Sequence, residues 1–194
     1  MKNLLGAVLC GGQSKRMGRD KGLLMQNNKA WAVCIAEKLE QAGLEVVISI
    51  NPQQETSYLE IFPNTPLLVD QLLIEGPLNG LLSIHRNFPE EDVLLMACDL
   101  IDMDQQTILH LIEAYRQHAG FEYYVYQQNG FTQPFCAVYT ARGLAKISES
   151  IEHNHVRKYS LHDKLESGNS LYLPVLSEAS FRNYNRLNGE NLRE

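Results

Sequence analysis

The fold begins with Leu4–Lys21, LLGAVLCGGQSKRMGRDK. The apolar run Leu4–Leu9 predicts a buried first strand, and the adjacent glycines after it predict a tight loop. Four cationic side chains lie within the seven residues from Lys15 to Lys21, although the whole chain has a formal net charge of -6. Glycines let a backbone approach a phosphate with its N–H groups pointing inward, and Lys and Arg add charge that holds an anion. The stretch therefore predicts an anionic ligand at this loop.

The loop is not one of the common phosphate-binding motifs. A P-loop requires G-x-x-x-x-G-K-[ST], and no glycine in the loop stands at that spacing. The dinucleotide fingerprint G-x-G-x-x-G is also missing, because Gly11 and Gly12 are adjacent. For these two glycines alone, a strand-to-helix turn with a solvated basic surface is the alternative. The presence of Ser14, Arg16 and Lys21 in the same loop favours anion binding.

Composition indicates an ordinary globular protein. The chain has 194 residues, of which 44% are hydrophobic and 21% charged, so we expect a single domain over residues 1–194. No apolar run approaches the roughly 20 residues that span a bilayer, and the net negative charge disfavours nucleic-acid and membrane binding. Widely spaced cysteines without a C-x-x-C pair predict small buried side chains in the reducing cytoplasm rather than zinc ligands or disulfides; they are Cys10, Cys34, Cys98 and Cys136.

Strand-like and helical patterns alternate, which predicts an α/β fold with a mostly parallel sheet. Strands are predicted over residues 4–9, 44–50, 66–69, 93–97, 123–126, 134–139 and 170–175. Helices are predicted over residues 29–41, 77–86, 104–118, 140–151 and 157–165, with Asp104 as an N-cap.

Polar groups follow four of the predicted strands, namely the Gly11 loop, Asn51, Asp70 and Asp99. Ligands of an open parallel sheet bind beyond the carboxyl ends of its strands, so we expect these groups at one edge. A carboxylate at Asp99 suits Mg²⁺, which prefers oxygen ligands, although a cap of the next turn is the alternative. Taken alone, Asn51 and Asp70 are typical of ordinary strand ends. Asp102 is a weaker candidate for a second carboxylate, because capping or solvent exposure explains it better.

The run Leu9–Lys21, written L-x-G-G-x-S-x-R-M-G-x-D-K, resembles the signature loop of the molybdenum cofactor guanylyltransferases. The resemblance implies a Rossmann-like three-layer nucleotidyltransferase fold with a mostly parallel sheet. It implies that GMP is transferred from GTP to molybdopterin or molybdenum cofactor with release of pyrophosphate, and that Mg²⁺ is the cofactor. It also implies transient contact with cofactor-biosynthesis proteins and molybdoenzymes.

The same resemblance implies a set of site residues. The nucleotide would be bound by Leu9, Cys10, Gly11, Gly12, Lys21, Asn51, Asp70 and Asp99, with Asp99 also holding the metal. The first three would act largely through their backbone. The implied catalytic residues are Arg16, Lys21 and Asp99. Three further segments match family elements that lie near the substrate: Gly76–Leu81, Gln133-Pro134 and Phe181–Asn185.

Two other functions are compatible with the loop. A cytidylyltransferase or a sugar-1-phosphate nucleotidyltransferase would use it with another base or acceptor, and competition between GTP and CTP distinguishes these enzymes. A GTP-binding or cofactor-binding protein without turnover is the third possibility. The combination of Arg16, Lys21 and Asp99 argues against a binding function without turnover, whereas GTP binding without pyrophosphate release would support it.

Overall fold

The computed structural model describes residues 3–11, 20–74, 76–153, 160–182 and 184. The strands within these ranges are β1 (Leu4–Leu9), β2 (Met25–Gln26), β3 (Lys29–Ala30), β4 (Val46–Ile50), β5 (Leu67–Val69), β6 (Asp92–Ala97), β7 (Tyr123–Gln128), β8 (Phe131–Tyr139) and β9 (Ser170–Pro174). The α-helices are α1 (Trp31–Gln41), α2 (Glu55–Ile61), α3 (Pro77–Asn87), α4 (Gln105–Gln117), α5 (Ala141–Glu152) and α6 (Leu161–Ser167). Short 3₁₀ helices form at Lys21–Leu23, Pro52–Gln54 and Glu178–Phe181.

Seven strands form one mostly parallel sheet in the order β5-β4-β1-β6-β8-β7-β9. The pairs within β5-β4-β1-β6 are parallel, as is the pair of β7 with β9. Only β8 runs antiparallel to its two neighbours in this sheet. The remaining strands, β2 and β3, form a separate antiparallel hairpin. The predicted α/β class with a mostly parallel sheet is confirmed.

Helices cover both faces of the sheet. One apolar cluster joins α1, α2 and α4 to the first face, and a second joins α3, α5 and α6 to the other. Strands that are buried on both faces need apolar side chains in both directions, so they lack polar alternation. Both β1 and β6 fit this rule, because each of their residues is buried. The result is three layers, helix on sheet on helix.

The connections on the two sides of β1 use opposite faces of the sheet. The chain passes from β1 to β4 through α1 on the first face, and from β5 to β6 through α3 on the second. Strands β4 and β6 lie on opposite sides of β1. The chain thus proceeds from β1 through β4 to β5 on one side and then crosses to β6 on the other, so the strand order reverses between β1 and β6. Such a switch point forms a crevice at the carboxyl ends of the two strands.

The structure starts α1 two residues later than predicted, at Trp31 instead of Lys29. The reason is the β2–β3 hairpin, in which Lys29 pairs with Gln26. Its turn residues Asn27 and Asn28 have φ values of 50° and 61°, the left-handed conformation that a two-residue hairpin turn requires. Other boundaries also differ. Strand β4 begins at residue 46 instead of 44, and α6 spans residues 161–167, whereas residues 157–159 of the predicted helix lie outside the described ranges.

Strand β8 begins three residues before the predicted start at Pro134. A two-residue turn at Asn129-Gly130, with φ values of 50° and 81°, joins it to β7. Proline has no N–H for a strand ladder and is tolerated where the pairing is irregular. The register between β7 and β8 shifts between Val125 and Gln127, which gives Pro134 such a place.

The helix α2 was not predicted, although the sequence carries a signal for it. Asn51 and Gln54 form a capping box around the 3₁₀ turn that leads into α2, and Pro52 stands at its first position. Both features favour a helical start. The helix is short, and it has one buried side chain, Tyr58, so apolar periodicity does not reveal it.

The predictions from composition have mixed outcomes. Buried, free thiols are found at Cys10, Cys98 and Cys136, whereas Cys34 is only partly buried. Over the described ranges, no helix has both the length and the apolar character needed to cross a membrane.

Truncation of Leu111 tests the inward face of α4. Its side chain is fully buried, whereas Leu109 on the same helix is 47% exposed. We expect Leu111→Ala to lower the free energy of unfolding by about 2–5 kcal/mol, because it removes buried methyl groups and leaves a cavity. The matched control Leu109→Ala should change it by less than about 0.5 kcal/mol. Urea denaturation measures both, and equal losses would contradict this orientation of α4.

Candidate active site

The crevice between β1 and β6 is formed by the residues that follow the two strands. Cys98 donates its backbone N–H to Leu9 O at 3.2 Å, so the two strand ends remain side by side. Asn51 and Asp70 follow β4 and β5 at the same edge. The four strands thus bring Gly11, Asn51, Asp70 and Asp99 to one edge of the sheet, as predicted.

An ion pair joins Lys21, the last of the four clustered cationic residues Lys15–Lys21, to Asp99 after the end of β6. Lys21 Nζ donates to Asp99 Oδ2 at 2.9 Å, although the two residues are 78 positions apart in the sequence. Their side chains are only 18% and 11% exposed. Two charged groups with so little exposure to solvent attract each other more strongly than a surface pair does, because water screens them less. The structure therefore brings together two of the three predicted catalytic residues.

The surroundings of Asp99 fit Mg²⁺ better than zinc. In the described part of the chain, no group of three or more His, Cys, Asp or Glu residues could hold a metal ion. Structural and catalytic zinc sites need three or four such ligands. Mg²⁺ is usually bound by one or two carboxylates, with substrate phosphates and water completing its coordination. A single carboxylate at the end of β6 is compatible with that arrangement.

Asp70 lies in a niche between two glycines. A Cβ atom on Gly11 would lie 3.2 Å from Asp70 Oδ2, and one on Gly80 would lie 3.3 Å from Oδ1. Burial raises the pKa of Asp70 to about 6, and a hydrogen bond from Ser49 opposes this effect only weakly at 3.5 Å. In contrast to Asp99, Asp70 is held beside small residues and a hydroxyl group instead of a lysine.

Gly80 allows α3 to approach the sheet at this edge. A Cβ there would collide with Ser49 Oγ and would lie 2.6 Å from Leu9 Cδ1. The Leu9 side chain is thereby buried beneath the helix, and its backbone oxygen already accepts the N–H of Cys98. The second glycine of the predicted Gly76–Leu81 segment is therefore required by packing.

The loop before α3 is fixed by two polar side chains that we did not predict. Asn79 Oδ1 accepts the N–H of Leu72 at 3.1 Å, and its Nδ2 donates to Leu72 O and Ile74 O at 2.7 and 3.0 Å. Ser83 Oγ accepts the N–H of Gln71 at 2.9 Å. These bonds hold residues 71–74 directly after Asp70. In the sequence, the only sign of these hydrogen bonds is that Asn79 and Ser83 are four residues apart, about one helical turn.

The backbone donors of the loop are only partly available for a phosphate. Cys10 and Gly11 both donate their N–H groups to Ser49 O, at 2.9 and 3.0 Å. The N–H group of Gly11, which we expected to bind phosphate, is therefore already engaged in extending β1. The Cys10 side chain is buried, and burial raises the pKa of its thiol well above the usual value, so it is no thiolate nucleophile. Two predicted site residues, Gly12 and Arg16, lie outside the described residues.

Asn51 has a local structural role at the end of β4. Its Oδ1 accepts the N–H of Gln53 at 2.9 Å, and its own N–H donates to Gln54 Oε1 at 2.8 Å. The side-chain oxygen therefore caps the 3₁₀ turn before α2, as the simpler interpretation of a strand-end residue predicts. A nucleotide contact of Asn51 would have to use its Nδ2 group.

The other side of the crevice is formed by β8 and the last described residues. Met96 pairs with Cys136, so the start of antiparallel β8 lies beside the end of β6, and Gln133-Pro134 lies on this side of the crevice. Asp102 Oδ2 accepts the hydroxyl of Tyr184 at 2.6 Å. The Tyr184 ring in turn makes an edge contact with Trp31 at a centroid distance of 5.9 Å. This bond gives Asp102 a structural partner, while the predicted Asn183 and Asn185 lie outside the described residues.

Comparisons with known proteins agree with this geometry. The sequence profile of the MobA-like NTP transferase domain matches residues 6–166. A molybdenum cofactor biosynthesis bifunctional protein from Synechocystis sp. is 33% identical over 148 residues, which are 76% of this chain and 42% of that protein. A protein from Methanothermobacter thermautotrophicus, named a probable molybdenum cofactor guanylyltransferase, is 29% identical over 187 residues, 93% of each chain. The chain thus spans less than half of the first relative and nearly all of the second.

A solved structure shares the fold. Molybdopterin-guanine dinucleotide biosynthesis protein A from Archaeoglobus fulgidus superposes with a TM-score of 0.70 at 21% sequence identity. The match covers 87% of this chain and 82% of that chain. The three-layer architecture with its mostly parallel sheet is therefore the nucleotidyltransferase fold.

The elevated pKa of Asp70 predicts how stability depends on pH. Since the folded pKa of about 6 lies above the usual value of 3.8, the native state holds a proton that the unfolded chain has released between these pH values. The unfolding free energy of the wild type should therefore fall as pH rises through this window and level off above it. Asp70→Asn removes the titrating group, so its stability relative to the wild type should rise over the same window. Urea denaturation at pH 4–8 measures this difference, and Glu149→Gln, at an exposed carboxylate, is the control. A difference that does not vary with pH would contradict the elevated pKa.

Proposed function

Because the chain belongs to the MobA-like NTP transferase family, we propose that it transfers GMP from GTP to the terminal phosphate of molybdopterin or its molybdenum-loaded form. The observation that carries the proposal is the Lys21–Asp99 ion pair at the crevice between β1 and β6. It places a cation and a potential metal ligand beside the glycine loop. A relative that this chain matches over 93% of its length carries the guanylyltransferase name, which favours GTP over other nucleotides.

The reaction needs alignment more than acid–base chemistry. An oxygen of the acceptor phosphate attacks the α-phosphorus of GTP, and a new P–O bond forms. The bond between the α-phosphorus and the oxygen bridging to the β-phosphate breaks, and pyrophosphate leaves with that electron pair. The acceptor phosphate is already anionic, so no general base is required. The protein has to hold two anions in line and stabilise the charge that develops between them.

We assign this charge stabilisation to Lys21. Its ammonium group lies at the carboxyl edge, and it would stabilise charge on the α-phosphate and on the departing pyrophosphate. Arg16 would act beside it, and the backbone from Gly12 onward would bind the outer phosphates. The roles of these two residues rest on the motif, since they lie outside the described part of the chain.

Asp99 is the residue that would hold a divalent cation, which we propose to be Mg²⁺. Bound there, the ion would offset repulsion between the phosphate groups of the two substrates. Asp99 supplies a hard oxygen ligand, and its buried position at the strand end restricts where that ligand can be. In the same complex, Lys21 would move its hydrogen bond from the carboxylate to a phosphate oxygen.

The remaining predicted residues divide the crevice into two sides. Leu9, Cys10, Asn51 and Asp70 lie on the β4–β5 side, where we place the guanosine, and the loop before α3 borders this side. The start of β8 lies on the other side, where we place the acceptor. We further propose that residues 1–194 act as one domain in the cytoplasm, with transient contacts to cofactor-biosynthesis proteins and molybdoenzymes.

Pyrophosphate release tests the proposed function directly. The purified protein is incubated with Mg²⁺, molybdopterin and each of the four nucleoside triphosphates in turn. We expect release with GTP alone and none after chelation of the metal. Release with CTP instead would assign the chain to the cytidylyl enzymes. GTP binding without any release would indicate a binding protein and would contradict the proposal.

Substitution of the ion pair tests the assigned roles. We expect Lys21→Ala and Asp99→Ala each to lower the rate of guanylyl transfer by about 10²–10³-fold, because each removes a preorganised charge. Lys29→Ala is the matched control, since Lys29 pairs with Glu37 at an exposed position. It should leave the rate unchanged. Thermal melting shows that the variants are folded, and near-normal transfer by either site variant would refute its catalytic role.

A further inference from the structure

Asp20 stands directly before Lys21, and both of its carboxylate oxygens are engaged. Oδ1 accepts the backbone N–H of Gly22 at 2.9 Å and the hydroxyl of Tyr58 at 3.0 Å. Oδ2 accepts Nε2 of Gln54 at 2.5 Å. The three donors come from the residue after Lys21 and from the turn and helix that follow β4. Hydrogen bonds to a charged acceptor are stronger than those between neutral groups, so the carboxylate is firmly held.

Gln54 links Asp20 to the ends of two strands. Its Nε2 also donates to Cys10 O at 3.1 Å, and its Oε1 accepts the N–H of Asn51 at 2.8 Å. The amide orientation follows from these partners, because the flipped form would direct its oxygen at a carboxylate and a carbonyl. Gln54 is buried, so each of these bonds would be costly to lose without replacement. Gln54 thus holds the chain at Cys10, directly after β1, and again at Asp20, directly before Lys21.

The segment after Lys21 is fixed by packing as well as by hydrogen bonds. Asp20 caps the 3₁₀ turn Lys21–Leu23, and a Cβ on Gly22 would collide with the hydroxyl of Tyr58. Only glycine lets the turn lie this close to α2. The backbone on both sides of Lys21 is therefore fixed against α2, and the lysine side chain extends from this support to Asp99.

We propose that Asp20, held by Gln54 and Tyr58, is a positioning residue that sets the location of the Lys21 ammonium group. Both of its carboxylate oxygens are already engaged with protein donors, so it would act through Lys21 and not on the substrate itself. This proposal rests on the proposed function, because it assigns the orientation of the cation that stabilises the transferred phosphate. It also gives α2, which carries no residue of the nucleotide motif, a part in the reaction. A displacement of about 1 Å at a reacting group is enough to cost on the order of 100-fold in rate.

A double-mutant cycle separates positioning from a general structural effect. Asp20→Asn keeps the shape but replaces one acceptor oxygen with an amide donor that faces other donors. We expect it to lower kcat for guanylyl transfer by about 10–100-fold with a smaller change in KM for GTP. In a Lys21→Met background, the same substitution should change kcat by less than about twofold, since the group it positions is gone. Equal losses in both backgrounds would overturn the proposal.

Two tyrosine variants keep the test decisive if Asp20→Asn fails to fold. Tyr58→Phe removes one of the three donors to Asp20 but retains the packing of the ring, and we expect kcat to fall about 10-fold. Tyr172→Phe is the matched control, because its hydroxyl bonds Leu165 O on the edge strand. It should leave kcat within about twofold. No difference between the two variants would overturn the proposal.

A structural readout distinguishes failure of this inference from failure of the proposed function. Crystal structures of the wild type and of Tyr58→Phe report the distance from Lys21 Nζ to Asp99 without any turnover. We expect the pair to be retained in the wild type and lengthened or lost in the variant. An unchanged distance would refute positioning even if the wild type transfers GMP. Absence of pyrophosphate release from the wild type would instead refute the proposed function, and the distance would still decide the role of Asp20.

Discussion

Strand β1 is hydrogen bonded to β4 on one side and to β6 on the other, and the connections that lead to these neighbours, through α1 and α3, use opposite faces of the sheet. Because apolar layers cover both faces, the strands have little freedom to shift, and a one-residue slip would break the whole ladder. The carboxyl ends of β1 and β6 are consequently held side by side. This constraint brings Lys21 within 2.9 Å of Asp99. The position of Gly11, the proposed metal ligand Asp99 and the proposed positioning network all depend on it.

The crevice contains two carboxylates in contrasting surroundings. Asp99 is paired with Lys21, so its charge is compensated while water is largely excluded, which avoids the high cost of an isolated buried ion. Asp70 has only a long hydrogen bond from Ser49, and burial raises its pKa to about 6. Position at the carboxyl edge alone therefore does not define a residue's chemistry. The neighbouring side chains, a lysine at Asp99 and a serine hydroxyl at Asp70, make the difference.

The sequence predicts those parts of the molecule that rest on local patterns. Long apolar runs predict β1 and β6, and the polar residues that end the strands predict the edge at which the site lies. Residues acting through distant partners were not predictable. Asp20 is part of the quoted motif, but its partners Gln54 and Tyr58 follow another strand, and no spacing rule connects them. Helix α2 and the β2–β3 hairpin are too short for apolar periodicity to reveal, so the start of α1 was predicted two residues too early.

The contact between Trp31 and Tyr184 makes the intrinsic fluorescence of the protein a probe of this region. The chain has one tryptophan, and its indole is only 2% exposed. Its Nε1 has no hydrogen-bond partner among the described residues, so the emission of the folded protein should be shifted toward short wavelengths. Tyr184 connects this ring to Asp102, three residues beyond Asp99. Intrinsic fluorescence therefore follows rearrangements on one side of the crevice in real time, and the protein needs no added dye.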